Sequence, residues 1–423
     1  MNFFKNFTVL SLLLLSALVL NSRAYAYGDY GLSCTNDVYG IHLYGTTADT
    51  VTIGTGDYGV YTGLDCAYAG GGRTNSSAIV GGDISRMAAN AVIGAVSGRL
   101  SAAMNNNSDT AAHMSYSTNG NGIGMAANHL VGGLSVWTNF TNSSFENDQT
   151  FTNVQLDSNN YDGDASAVTV GVDKRLGNML VGLAYTAFDL DIDTKVNRGN
   201  ISTEGETLGL YVGLNTGALN VSAGAGQGEY EFETERQDLG SGTTITANDV
   251  TADVTYFHFG VSGDLSRGKL SFSPRLNYRS FEISMPAFTD VVPNDGNSIT
   301  GAGLPVQTAV FTTADDSISA KNYSSDMTEA GISIALAASS RLTPFVDVAY
   351  VKEETTSAAY NNESLNDSGA DLGASAPDGY ITYGGGLILN LQSKVNGLIS
   401  IHEVTNRDDY SETTISGSLK LKF

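Results

Sequence analysis

Apolar and polar residues alternate through most of this chain, and the alternation is clearest where the chain ends. In Ile415-Ser-Gly417-Ser-Leu419-Lys-Leu421-Lys-Phe423 the side chains Ile415, Leu419, Leu421 and Phe423 share one face of a strand, while Ser416, Ser418, Lys420 and Lys422 share the other. One face suits lipid, the other a polar interior, and the terminal aromatic suits a membrane interface. The same period predicts about a dozen strands, near 129–145, 164–176, 179–193, 201–215, 218–235, 249–264, 269–285, 317–338, 342–353, 378–391, 396–405 and 411–423. Their connections alternate in length. Long polar ones fall at 146–163, 236–248, 286–316 and 354–377, and tight ones at Leu176-Gly-Asn178, Thr216-Gly217, Ser266-Arg-Gly268 and Ser339-Ser-Arg341. Together these features describe an all-β membrane protein, a closed antiparallel barrel with both ends of its wall at the tight-turn rim.

Individual strands also show where the membrane stops. Met179, Val181, Leu183 and Tyr185 form a lipid stripe, and Asp189, Asp191 and Asp193 continue on the same face. Leu219, Val221, Ala223 and Ala225 are likewise followed by Glu229, Glu231, Glu233 and Glu235. Carboxylates facing lipid are costly at mid-membrane, so both strands must have left the bilayer where the acidic rows begin. Both rows precede connections that must therefore lie outside the membrane on one side.

One segment has a different period. From Asp83, read as an N-cap, the residues Ile84, Met87, Ala88, Ala91, Val92, Ala95 and Val96 recur at helical spacing to about Met104, where Asn105-Asn-Asn107 ends the pattern. Such a helix is about 33 Å long, close to the hydrocarbon thickness of a bilayer. It is thin, built mostly of Ala, Gly and Ser, and after the cap its only charges are Arg86 and Arg99. These properties suit a helix threaded through a polar, water-filled lumen. An amphipathic helix packed beneath the barrel is the alternative reading.

At the other end, Lys5, an apolar run from Val9 to Leu20, and Ala24-Tyr25-Ala26 form a secretory signal with a cut before Tyr27. It implies passage through the Sec export machinery. The run is too short for a spanning helix, and no later segment has the roughly 18 apolar residues that one needs. Composition agrees with strands: 49 Gly, 21 Tyr, 16 Phe, 6 Pro and a mean hydropathy of −0.07. The formal net charge of −23 argues against nucleic acid as a partner. Residues 27–82 are rich in Gly, Tyr and Thr, with one strand expected at Thr50–Gly54, and are too few for a stacked solenoid. They contain the only two cysteines, Cys34 and Cys66, and export predicts a disulfide between them. Neither cysteine keeps metal-ligand spacing with a His or another Cys.

The lumen-sized helix after Asp83, the opening Gly133-Leu-Ser-Val-Trp-Thr-Asn139, Ala167-Val-Thr-Val-Gly-Val-Asp-Lys-Arg175, Val181-Gly-Leu-Ala-Tyr185 and the terminal Phe423 together resemble the autotransporter, or type V secretion, family. The likeness covers about residues 83–423. It implies a twelve-stranded monomeric barrel at 106–423, a linker helix in its pore at 83–105, and an N-terminal passenger at 27–82 behind a signal peptide at 1–26. It also implies residence among the lipids of a Gram-negative outer membrane. The strand ending Leu419, Leu421, Phe423 resembles the signal that the outer-membrane β-barrel assembly machinery recognises. The passenger departs from the family pattern, being too short for an enzyme or a long adhesive domain.

No reactive constellation stands out in the sequence, and no catalytic, cofactor or metal residues are assigned. His258 and His402 are expected to face the lumen away from any nucleophile motif. Asn90 and Asn105 to Asn107 lack the context in which some autotransporters cleave their own linker. The acidic rows offer oxygen ligands for Ca²⁺ but no dedicated loop. Gly384-Gly-Gly386 is read as leaving room for an inner helix rather than as a phosphate cradle. The leading expectation is a translocator that displays its own short N-terminal segment. A structural or adhesive barrel acting through loops 286–316 and 354–377 is the alternative, and a diffusion pore is disfavoured by the plug.

Overall fold

The structure is a computed structural model. It describes residues 76–104, 134–148, 160–290 save 196–197, 218 and 238–243, 316–356 save 319 and 340, and 379–421 save 393–394 and 408–409. The short stretches 32–36, 41–45, 117–119 and 122–124 are also described. The signal segment, Thr50–Gly54, Cys66, Asn105–Asn107, Phe423 and most of loops 286–316 and 354–377 lie outside the described residues.

Twelve long strands form a closed antiparallel wall. They are β1 Leu134–Asn147, β2 Tyr161–Leu176, β3 Met179–Thr194, β4 Gly199–Asn215, β5 Leu219–Gln237, β6 Thr244–Gly263, β7 Leu270–Met285, β8 Lys321–Leu336, β9 Leu342–Thr356, β10 Tyr380–Gln392, β11 Val395–Thr405 and β12 Tyr410–Leu421. Each pairs with its sequence neighbours, and the seam closes antiparallel with Tyr410 opposite Asn147 and Leu419 opposite Thr138. Closure leaves no edge with unpaired backbone groups, which lipid could not satisfy.

The tight turns form where the sequence predicts them, with Gly177 (φ 65°), Gly217 (φ 88°) and Gly268 (φ 65°) supplying left-handed backbone. At the fourth, Ser339 Oγ accepts from the backbone N–H groups of Arg341 and Leu342. Exposure alternates strictly along β1 and β3. The outward set includes Val136, Phe140, Val181, Leu183, Tyr185, Leu208, Leu210 and Ile415. Asp189, Asp191, Asp193, Glu229, Glu231, Glu233 and Glu235 are exposed above those stripes, toward the long-loop end.

A single 29-residue helix, α1, runs from Ser76 to Met104 within the lumen. It begins earlier than the sequence reading placed it. Asp83 is not its N-cap but lies about two turns inside, since Ser76–Gly82 belongs to the helix rather than preceding it. From Val80 to Leu100 every side chain is buried, on all faces. Such a helix shows no amphipathic stripe, because it is enclosed rather than laid on a surface.

The lumen is also less polar than expected. Around the upper half of α1 the wall contributes Phe188, Leu190, Ile192, Tyr230, Phe232, Val254, Tyr256 and Phe281, which join Val80, Ile84, Met87 and Ala88 in one continuous core. A second cluster surrounds Ala95, Val96 and Leu100 with Trp137, Leu180 and Tyr211. Large aromatics fit because their cross-strand partners are glycines. Trp137 lies opposite Gly171, Tyr211 opposite Gly182, Tyr230 opposite Gly205 and Tyr256 opposite Gly226. A Cβ at any of these glycines would collide with the ring folded over it. The glycines of β10 act the same way rather than clearing space for α1: a Cβ at Gly384 would meet His402, and one at Gly386 would meet Ser400 and Phe345.

Candidate functional site: the lumen helix and its anchors

Beyond the apolar packing around α1, polar anchors hold the helix at three levels. At the long-loop end Asp83 and Arg86 project from adjacent turns of α1. Arg86 Nε lies 3.1 Å from Asp83 Oδ1 and Nη1 lies 2.6 Å from Glu412 Oε2 on β12, while Nη2 donates to the Tyr410 hydroxyl. Arg407, in the turn between β11 and β12, reaches inward to Asp83 at 2.6 Å and to Glu353 of β9 at 3.3 Å. Tyr161 of β2 donates to the other Asp83 oxygen. Both guanidinium groups also stack on Tyr410, with carbons 4.6 Å (Arg86) and 4.2 Å (Arg407) from the ring centroid. These groups are almost entirely removed from solvent. Charges so dehydrated are tolerated only when each meets a countercharge and directed hydrogen bonds, which this arrangement provides.

In the middle, Asn90 Oδ1 accepts from Arg279 Nη1 at 2.8 Å. Arg279 is tied to Glu329 at 3.0 Å, and Glu329 to Arg275 at 2.5 Å. Arg275 in turn grips Asp347 through two bonds of 2.7 and 3.0 Å. This ladder crosses β7, β8 and β9 inside the wall, and α1 touches it through Asn90. Asn90 is therefore a polar helix residue engaged by the barrel.

At the tight-turn end Arg99 holds Asp173 of β2 with Nε at 2.6 Å and Nη2 at 2.7 Å, a bidentate fork. Tyr211 donates to the same carboxylate at 3.0 Å and accepts from the Trp137 indole at 2.8 Å. Arg175 donates to the Ala103 carbonyl, satisfying one of the free acceptors at the end of the helix.

Of the residues singled out from sequence, Asp83 and Arg86 lie together in one anchor and Arg99 in another. Leu419 and Leu421 lie on β12, whereas Phe423 is outside the described residues. Cys34 lies on a short antiparallel hairpin, 32–36 with 41–45, and its pairing with Cys66 is outside what is described. His258 and His402 are both buried in the lumen wall, folded over Gly224 and Gly384. The remaining anchor residues, Arg407, Glu353, Glu412, Asp173 and Glu329, were not singled out. For the four on strands the signal was available as charges on the lumen-facing phase of strands whose other inward residues are mostly apolar or small; Arg407, in a turn, carried none.

Outside the membrane, exposed Glu231, Glu233 and Asp249 bring carboxylate oxygens within 4.8 Å of one another, the one cluster of metal-ligand type among the described residues. Asp249 sits at a bulge of β6 with φ 58°. The Glu231 carboxyl is held above its ordinary value, first by a hydrogen bond shared with Asp249, then by partial desolvation and the neighbouring charges.

A closed antiparallel wall with lipid stripes outside and one anchored helix inside defines a transmembrane β-barrel with an internal plug. A model of the autotransporter β-domain family matches residues 136–401. The chain belongs to that family, which places the barrel in the outer membrane of a Gram-negative cell as a translocator. Among solved structures, the translocator domain of the autotransporter NalP from Neisseria meningitidis is similar with a TM-score of 0.55 at 13% identity, covering 82% of this chain and all of that one (100%). The β-domain of the Bordetella autotransporter BrkA gives a TM-score of 0.48 at 12% identity, covering 69% of this chain and 100% of that one. No curated protein matches the sequence.

Proposed function

We propose that this barrel exports its own N-terminal segment and keeps it displayed at the cell surface. The observation that carries the reading is the direction of α1. Asp83 lies against Tyr161 and Arg407, at the long-loop ends of β2 and β11, while Arg99 lies against Asp173, near the tight turn that follows β2. The N-terminal end of α1 therefore points to the long-loop side, which in an outer-membrane barrel is the outside, and its C-terminal end to the tight-turn side.

In this reading export needs no nucleotide. The free energy comes from closing the wall and from burying α1, which removes a run of apolar side chains from water and satisfies the anchors. The displayed stub is held by non-covalent contacts along the whole lumen, and a Cys34–Cys66 disulfide stabilises it outside. The assembly machinery reads the β12 ending during insertion.

The test is an epitope tag after Tyr27 in whole cells, probed with antibody and added protease. Exposure of the tag, with heat-modifiable mobility confirming a folded barrel, is the expected result. A tag protected in intact cells and cleaved only after the outer membrane is opened would overturn the proposal.

A further inference from the structure

The cations ahead of the barrel wall are few and evenly spaced. Between residues 27 and 173 the chain has no Lys, and its only arginines are Arg73, Arg86 and Arg99, each 13 residues from the next. Arg86 fills the upper anchor and Arg99 the lower one, while Arg73 lies outside the described residues. Thirteen helical residues rise about 20 Å, so the two anchors are set apart by the interval that the sequence repeats. A chain held one interval short would therefore present Arg73 to the upper anchor and Arg86 to the lower. One interval too far, Arg99 would reach the upper anchor and Ala112 the lower, where Asp173 would meet no arginine of the segment. Asp83 separates the observed register from the shorter one. It stands three residues before Arg86, where it accepts from Arg407 at 2.6 Å and from the Tyr161 hydroxyl. The corresponding place before Arg73 is Gly70, which begins a run of three glycines, so it offers Arg407 no carboxylate and forms helix poorly.

We propose that the two anchors form a stop register for export: the segment advances until Arg86 and Arg99 enter both anchors together and Asp83 meets Arg407. The inference rests on the export reading above and names the residues that end the passage. The wall groups that take the arginines are carboxylates, Asp173 below and Glu353 with Glu412 above. Residues 27–72 carry five aspartates and no Lys or Arg, so nothing in them is drawn to those carboxylates. One arginine beside one carboxylate in a wet lumen is held weakly, because water screens the pair. Two arginines arriving together let both anchors close and dehydrate at once, and Asp83 supplies the countercharge for Arg407 in that register alone. Between these charges α1 is built of small and apolar residues with a few polar ones, which present no other charge at which the chain could halt.

The experiment uses the full chain with a tag after Tyr27. Whole cells are treated with a broad protease, heat-modifiable mobility confirms the folded barrel, and mass spectrometry reads the first residue of the protected fragment that carries α1. The unaltered chain should give one main start. Gly70→Asp with Gly71→Ala and Gly72→Ala makes the shorter register resemble the observed one without touching α1 or the wall. A second start 13 residues nearer the N-terminus is then expected, and adding Asp83→Ala should make it the main one. Arg73→Gln in the same chain should abolish it. An unchanged start in both variants overturns the stop register, as do ragged starts without the 13-residue step or a step that persists with Arg73→Gln. A tag that never surfaces in the unaltered chain would instead overturn the export reading itself.

Discussion

The two ends of α1 are anchored by similar chemistry and by very different topology. At the tight-turn end one guanidinium meets one carboxylate, Arg99 with Asp173, 74 residues apart, and two neighbouring aromatics complete the hydrogen bonding. At the long-loop end two arginines meet three carboxylates drawn from α1, β9 and β12, and the Arg86 to Glu412 bond spans 326 residues. The first anchor needs only α1 and β2 in place, with β1 and β4 to support it. The second cannot form until the wall is closed and the last turn has folded inward. The comparison teaches that the lower anchor can position the helix early, while the upper one reports completion, because its groups have no low-cost state until all are present.

Arg86→Ala should show the largest effect. It leaves Glu412 without its nearest countercharge in a dehydrated site, a change that costs about 3–5 kcal/mol. We expect a clear fall in the unfolding midpoint of the detergent-extracted barrel and new conductance in planar bilayers. Pairing it with Glu412→Gln should recover part of the loss. An unchanged midpoint would mean that the upper anchor does not hold the helix.

Arg99→Ala should cost less, about 1.5–3 kcal/mol, since Asp173 keeps the Tyr211 hydroxyl and lies nearer the rim. Urea titration of both variants side by side sharpens the comparison, and a loss equal to that of Arg86→Ala would erase the distinction between the ends.

Gly205→Val asks whether packing supports the upper end as much as charge does. The added side chain displaces the Tyr230 ring that packs on Phe188 at 5.4 Å, and overpacking of this kind costs about 1–3 kcal/mol. The same substitution at Gly397, where a Cβ meets only one backbone oxygen at 4.0 Å, should be far milder in the same melt.

The smallest effect belongs outside the membrane. Because the Glu231 carboxyl is held above its ordinary value, the folded hairpin favours its protonated form. That stabilisation is present below the ordinary carboxylate range and is lost as pH rises through the elevated value. Asp249→Asn removes one of the crowded charges and should slow amide exchange of the β5–β6 hairpin at neutral pH, with the difference fading in acid. A difference that grew in acid would contradict the shared proton.

Much of the wall was legible because lipid imposes a strict rule on every second residue. The strand expected at 342–353 is β9, Leu342–Thr356, and that expected at 179–193 is β3, Met179–Thr194. Their upper ends run on as paired, solvent-facing extensions whose polarity blurs the pattern. The start of α1 was missed for a related reason. Ser, Gly and β-branched residues from Ser76 to Gly82 are weak helix formers, and Asp83 imitates a cap while serving as a buried countercharge. Arg407 gave no signal, since a turn arginine ordinarily faces water.

The sequence by itself determined which segments are strands, which face meets lipid, where the chain turns back and that one helix is small enough to lie inside. These follow from local periodicity, backbone preference and the hydrophobic effect acting on each segment alone. The tertiary structure decided that half of the lumen is an apolar core and that Asp83 and Arg86 meet Arg407, Glu353 and Glu412. Those outcomes depend on the register accumulated around a closed sheet and on which strand ends converge at each rim, and no local pattern encodes either.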